Sequence, residues 1–397
     1  MIGDRIRQAR LAAGLTQDEL VVKLEKIGRK ITKGGISKYE NNGSCPDASF
    51  LFALGSVFGV SAQFFLSEPT LSIDWLGFRK NAKLRKRDQE RIKSRVISEI
   101  ENYVWLQNIL VPEIKIKPDN PIKVNNFEDV ENAADKLRQL WDLGYAPIYN
   151  LANTLEDKGC IIIETGGIGS SFDGLSGWVN KKIPVIIINK DVSKDRMRFN
   201  LAHEIGHLFL KFSTDEIDKT EKYAHRFAGA FLVPSVMARY ELGAKRRSIN
   251  VRELGLLKQA YGLSMQAWAC RAFDLGIIRK SMLKQLFITF GKNKWRKIEP
   301  VDYHGIESAI KFKQMVIRAL EEKIISEVKA KRICPGCFTE WTQQETSLSR
   351  NLLSDLLKMP VGERDAILRK AAEQASKDYL EDPELRIPSL IGGDIND

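Results

Sequence analysis

The chain has 397 residues and 43% hydrophobic content, enough for two or three domains that each bury a core. Its 62 Lys plus Arg against 51 Asp plus Glu leave a net charge of +11, a balance suited to an anionic partner such as nucleic acid. Gly55, Ser56, Gly59, Ser61 and Gln63 break the uncharged run at 48–67, arguing against a membrane span, and the start lacks a basic region followed by an apolar stretch, arguing against secretion. Five cysteines, three of them isolated, make no disulfide framework and indicate a reducing cytoplasm.

The first predicted elements are short helices. Ile6, Leu11, Leu15, Leu20 and Leu24 recur at helical spacing interrupted at Gly14, and Thr16 or Asp18 can start the second helix. Two short helices joined by a tight turn make a helix-turn-helix. The segment GDRIRQARLAAGLTQDELVVKL (3–24), followed by TKGGISKYENNGSCP (32–46), resembles the XRE, or phage-repressor type, DNA-binding domain, with SKYENNG and Pro46 at the end of the recognition helix. That resemblance implies that Thr32, Lys33, Gly34, Ser37 and Lys38 enter the major groove of an operator, with Gln17 near the DNA backbone. It also implies a double-stranded DNA partner read by a two-fold symmetric homodimer. The alternative is a small helical domain that pairs proteins and does not bind DNA.

Residues 79–95 (RKNAKLRKRDQERIKSR) hold nine basic and two acidic residues, a local charge of +7. They read either as a phosphate-neutralising stripe or as the solvated side of a linker helix, because Ile92, Val96, Ile100, Tyr103 and Val104 supply an apolar face. The proline-marked stretch VPEIKIKPDNP (111–121) is the clearest domain boundary.

Beyond it, CIIIET (160–165), GLSGWVN (174–180) and IPVIIIN (183–189) read as short strands of a small sheet packed on helices, with SGWVN a candidate edge for holding a peptide by strand addition. Then comes NLAHEIGHLFL (200–210). His203 and His207, four apart on a helix, can present two imidazole nitrogens to one metal ion, with Glu204 beside it. This is the zinc metallopeptidase spacing, in which Zn2+ lowers a water's pKa from 15.7 to ~7 and the Glu takes the proton. A third ligand has to come from Asp215, Glu216, Asp218, Glu221 or His225. Thr220 can cap a helix running to Pro234 after a polar loop at 212–219, and on that helix Glu221 shares the inward side with Ala224, which favours Glu221.

The motifs DGLSGW (173–178), PVIIIN (184–189), AHEIGHLFL (202–210) and EKYAHRFAGAFLVP (221–234) resemble the ImmA/IrrE family of metallopeptidases, over roughly residues 120–280. The resemblance implies His203, His207 and Glu221 as zinc ligands, Glu204 as catalytic base, and regulatory proteins as substrates. One residue departs from the pattern: the family often has Asn where this chain has His225, which makes His225 a rival ligand or a substrate contact.

In the tail, Cys334-Pro335-Gly336-Cys337 has the spacing of half a zinc site, of a redox pair, or of incidental turn cysteines. Residues 345–397 carry seven basic and eleven acidic residues, a net charge of −4, with helical spacing like the C-terminal segments of bacterial antitoxins; such a tail suits a basic partner such as a toxin. The expected fold class is therefore mostly α with a small β-sheet. It comprises a helix-turn-helix domain (1–68), a basic linker helix (69–118), an α+β zincin-like metallopeptidase domain (119–280) and a helical region (281–397). The expected function is a cytoplasmic transcriptional regulator whose zinc endopeptidase cleaves a repressor, an antitoxin or the chain itself. The rivals are a repressor whose zinc domain is structural or sensory, and an antitoxin whose tail binds a toxin.

Overall fold

A computed structural model describes residues 2–67, 71–76, 86–111, 121–167, 172–214 and 216–338, together with Asp365 and Arg369. Two compact units are present, Met1–Glu321 and Glu322–Asp397.

Five short helices open the first unit: α1 (Ile2–Ala12), α2 (Gln17–Lys26), α3 (Lys33–Glu40), α4 (Ala48–Phe58) and α5 (Ala62–Leu66). Local chemistry sets their ends. Gly14, in the left-handed region at φ 69°, turns the chain after α1, and Thr16 caps α2 through a capping box with Glu19. Asp47 caps α4 by accepting the Phe50 N–H. Ile6, Leu20, Leu24, Ile36, Leu54 and Phe65 are fully buried between these helices. α3 buries Ile36 and Glu40 and leaves Lys33, Gly34 and Lys38 exposed.

The strand β1 (Ile73–Trp75) follows, and then the helix α6 (Lys86–Leu110). Ile92, Val96, Ile100, Tyr103 and Val104 are all buried, so the apolar face read from the sequence is a packing face. Near its start Arg87 donates to the Gly14 carbonyl (2.5 Å) and to Glu19 (3.0 Å), while Arg5 on α1 pairs with Glu101 (2.8 Å). Further on, Tyr103 stacks on Phe312 and reaches Glu156. This helix is thus a packed bridge from the helical bundle to the sheet, and Arg87 pairs with Glu19 at the surface. Lys83 and Arg85 of the basic stretch lie outside the described residues.

The remainder of the first unit runs β2 (Ile122–Val124), α7 (Phe127–Leu140), α8 (Leu151–Asp157), β3 (Ile161–Thr165), β4 (Gly174–Val179), β5 (Ile183–Asn189), α9 (Lys194–Phe209), β6 (Leu210–Phe212), α10 (Ile217–Leu232), α11 (Ser235–Leu242), α12 (Val251–Tyr261), α13 (Met265–Asp274), α14 (Lys280–Lys292) and α15 (Lys311–Glu321). One sheet has the order β1-β4-β5-β3, in which β3 and β5 are parallel while β4 runs antiparallel to both β5 and β1. A second, two-stranded parallel pair joins β2 to β6. The run of buried residues in β5 explains its central place: Val185 to Ile188 have no solvent exposure, as a strand covered on both faces requires. The fold is mostly α with a small sheet, as the sequence indicates.

Two details differ from the sequence reading. Residues 210–212 form a strand, and α10 starts at Ile217 with Glu216 at its cap. Thr220 therefore lies within the first turn, where its hydroxyl donates to the Ile217 carbonyl, and is not the N-cap residue. Among the described residues no helix is long and apolar enough to cross a membrane.

The second unit contains α16 (Glu327–Ile333), capped by Ser326, followed by Cys334 and Cys337 joined in a disulfide with Cα atoms 5.4 Å apart. In that state neither sulfur is a thiolate available to a metal. The acidic tail read as a toxin-binding segment lies, apart from Asp365 and Arg369, outside the described residues.

Candidate metal centre

Helix α9 positions three of the expected site residues, and buried ion pairs fix its first half. Arg198 is fully buried against Glu307 (2.9 Å), which also accepts the Ala152 N–H (2.5 Å); Asp195 pairs with Lys258 (3.2 Å), itself bound to Glu299 (3.0 Å). A buried charge needs such a partner. The second half of α9 crosses α10 closely because Gly206 has no side chain: a Cβ there would lie 3.2 Å from Phe227 Cδ1 and 3.5 Å from Ala224 Cα. Glycine and alanine at a crossing let two helices approach, and this approach carries Glu221 toward the two histidines.

Holding α10 at its far end, the buried guanidinium of Arg138 donates to the carbonyls of Phe231, Gly144 and Ala146, each at 2.7 Å. Desolvation pulls its pKa down to about 10, still well above neutrality. Arg271 donates to the Val233 carbonyl (3.0 Å) and forms a fork with Glu131, which also receives Arg226 (2.5 Å). Although burial works against its charge, the two guanidiniums leave the Glu131 carboxyl below the usual carboxylate range.

The donor atoms converge. His203 Nε2 and His207 Nε2 lie 3.1 Å apart, His203 Nε2 is 3.3 Å from one carboxylate oxygen of Glu221, and His207 Nε2 is 3.2 Å from the other. Among the described residues these three form the group of His, Cys, Asp and Glu side chains close enough to hold one metal ion. Two ligands each about 2.0–2.1 Å from a tetrahedral zinc are separated by roughly 3.3 Å, so the donor spacing fits that ion. Glu204, next to His203 on the same helix, is buried, and its Oε2 accepts the Ser176 hydroxyl from β4 at 2.5 Å.

His225 stands beside the trio. Its ring lies nearly parallel to Phe199 at 5.8 Å and its centroid is 4.5 Å from that of His203. Although part of the residue is open to solvent, loss of hydration around the ring and the adjacent His203 pull its pKa down to about 4, leaving it neutral at pH 7. Neither Glu216 nor Asp218 joins the converging group, and Asp215 lies outside the described residues.

Two contributions were not read from the sequence. Ser176 alternates with Gly174 and Trp178 along β4; Gly174 sits against Glu204, where a Cβ would be 3.2 Å from its Cγ, and Trp178 meets Phe209 edge-on. A lone hydroxyl on the face of a strand otherwise lined by Gly and Trp was the available signal. Gly206 was the second, sitting inside the metal motif itself.

The residues proposed for DNA lie on and around α3. Thr32, Lys33, Gly34 and Lys38 are exposed and Ser37 is half-buried. Thr32 caps the helix by accepting the Gly35 N–H (3.2 Å), and Lys33 pairs with Asp18 (2.8 Å) at the surface. Gln17 is turned inward: its amide donates to Glu40 (2.9 Å), which also takes a fork from Arg10 (2.5 and 2.9 Å). That network ties α1, α2 and α3 together, so Gln17 serves the internal frame.

These features define a DNA-binding type of helical bundle followed by a peptidase-like domain. Comparison with known families agrees: residues 6–65 match the family described as helix-turn-helix, and residues 163–273 match the peptidase M78 family described as the IrrE N-terminal-like domain. The chain thus fuses an XRE-type helix-turn-helix to an IrrE/ImmA-like domain. A comparison with curated proteins gives no match.

Proposed function

We propose that the chain is a DNA-binding transcriptional regulator carrying a zinc-dependent endopeptidase directed at a regulatory protein, such as a repressor, an antitoxin or a copy of itself. The observation that carries this reading is the convergence of two imidazoles and one carboxylate beside a buried second carboxylate. His203, His207 and Glu221 hold the metal, and Glu204 is the general base. When bound, zinc supplies Lewis acidity toward a peptide carbonyl and acidifies water. Glu204 moves the proton: Ser176 fixes Oε2, so Oε1 takes the proton from the attacking water and passes it to the departing amine. His225, neutral at pH 7 and beside His203, is the residue assigned to contact the substrate.

The exposed side of α3 binds the operator and localises the peptidase near its target. A purely structural zinc would use four protein ligands and have no need of a base beside it. The test is Glu204→Gln, which keeps the shape and removes the proton acceptor. Zinc content and operator binding should persist, while a neighbouring regulator or the chain itself becomes long-lived in cells. Equal lifetimes with both proteins, under a condition that activates the system, would remove the peptidase reading. If the helix-turn-helix binds no sequence selected from its own upstream region, the DNA reading falls.

A further inference from the structure

A β-strand flanking the metal helix would ordinarily offer its outer edge to a peptide, whose backbone adds to the sheet. In this chain that edge is taken. β1 lies antiparallel along β4, pairing Ile73 with Val179, Asp74 with Trp178 and Trp75 with Gly177. The ladder continues at both ends, where the Leu76 N–H donates to the Ser176 carbonyl (2.9 Å) and the Asn180 N–H donates to the Ser72 carbonyl (2.8 Å).

β4 is built to accept this strand. Gly177 has no Cβ, and one added there would sit 2.7 Å from the Asp74 carbonyl oxygen and 3.1 Å from the Trp75 ring. Asn180 adopts a left-handed conformation at φ 49°, and its side-chain oxygen accepts the Ser72 N–H (2.9 Å) and hydroxyl (3.3 Å). Side chains alternate across a strand, so Leu76, opposite Ser176, points to the same face as the hydroxyl that holds Glu204. Leu76 is 41% exposed, a large apolar group paired with the strand residue whose hydroxyl binds Glu204. The hold on β1 is nonetheless slight: it is three residues long, Ile73 and Trp75 are only half-buried, and Asp74 is exposed.

From this placement we infer that β1 is a resident pseudosubstrate: the chain's own segment 72–76 fills the peptide-binding edge of β4, and a substrate is an extended segment with a bulky apolar residue at the Leu76 position that displaces it. The inference rests on the peptidase reading for the word substrate, but the exchange of one strand for another is independent of catalysis. A tethered strand competes at an effective concentration in the millimolar range, so a free peptide binds weakly until the tether is loosened.

The experiment uses the zinc-loaded full chain carrying Glu204→Gln, with a fluorescein-labelled decapeptide copying residues 71–80 (LSIDWLGFRK) as probe. Asp74→Pro removes a backbone donor from the middle of β1 at an exposed position and leaves β4 intact. Fluorescence anisotropy should show about tenfold or greater tightening of peptide binding in Asp74→Pro. Equal affinities, or no binding to either protein, would overturn the inference. In the protein with unaltered β1, saturating peptide should strip hydrogen-exchange protection from the Leu76 amide; binding that leaves this protection intact would also overturn it. Neither readout needs turnover. Failure of the Glu204→Gln lifetime test would therefore sink the peptidase reading alone, and peptide binding with β1 still protected would sink this inference alone.

Discussion

Removing Glu221 should separate a three-ligand metal centre from any arrangement in which His225 substitutes for it. In the parent, three donors stand 3.1–3.3 Å apart with their helices fixed by packing, so zinc should bind the folded chain and stabilise it. At free zinc equal to about 100 Kd that stabilisation is about 2.7 kcal/mol, a rise in melting temperature of roughly 5–10 °C for a domain of this size. Loss of a partner that only supports a ligand typically weakens binding about 10–100-fold, and loss of a direct ligand should do at least as much. For Glu221→Ala at the same zinc concentration, the ratio of zinc to Kd then falls from about 100 to about ten or below, leaving no more than about 1.4 kcal/mol. Differential scanning calorimetry with and without zinc, paired with elemental analysis after gel filtration, measures both quantities. His203→Ala should behave like Glu221→Ala, while Glu204→Gln should keep the full shift and about one zinc per chain. A Glu221→Ala protein that retains the shift, with His225→Ala losing it, would refute the ligand set.

Three further outcomes follow from the packing. Glu307→Ala leaves the fully buried Arg198 without its carboxylate partner and should cost about 3–5 kcal/mol in urea denaturation, and a cost under about 1 kcal/mol would show that the pair does not hold α9. Burial raises Glu156 to about 7, so the folded chain binds its proton more tightly than the unfolded one; stability from this group is present at pH 4 and lost as pH rises through 7, by about 3 kcal/mol. Glu156→Gln should flatten that part of the stability profile between pH 5 and 8. Gly206→Val drives a branched side chain into Phe227 and Ala224 and should lower zinc occupancy sharply without touching a ligand, as read by metal content of the folded fraction.

What was legible in the sequence was what repeats or sits close along the chain. The helical spacing of Ile6, Leu20 and Leu24 and the four-residue step from His203 to His207 are local, and both survive in three dimensions because a helix converts spacing into a face. The Glu221 position was readable for the same reason, one helix further on. Contacts between distant segments were not. Glu307 meets Arg198 across 109 residues and Arg271 meets Glu131 across 140, and nothing in either segment's periodicity announces its partner. The Gln17–Glu40 contact, 23 residues apart along the chain, was likewise not announced by the sequence, because an amide on a helix reads the same whether or not a carboxylate lies beside it. β1 escaped notice entirely, since three residues between a helix and a basic run carry too little pattern to signal a strand.

The dependence of the site on distant packing has a physical consequence. A donor set spaced at 3.1–3.3 Å tolerates little displacement, because moving one donor by an ångström takes it out of bonding range of an ion held at about 2 Å by the others. His203 and His207 share a helix, so their spacing is nearly guaranteed, whereas Glu221 is brought in by the crossing of α9 with α10 and is only as well placed as that crossing. Gly206 and Ala224 set the closeness of approach; Arg138 and Arg271, gripping the carbonyls of Phe231 and Val233, fix where α10 ends. These arginines sit far from the ligands, yet they govern the least constrained of the three donors. Substitutions at Arg138 or Arg271 should accordingly be felt first at Glu221, and the metal centre should loosen before the helix-turn-helix does.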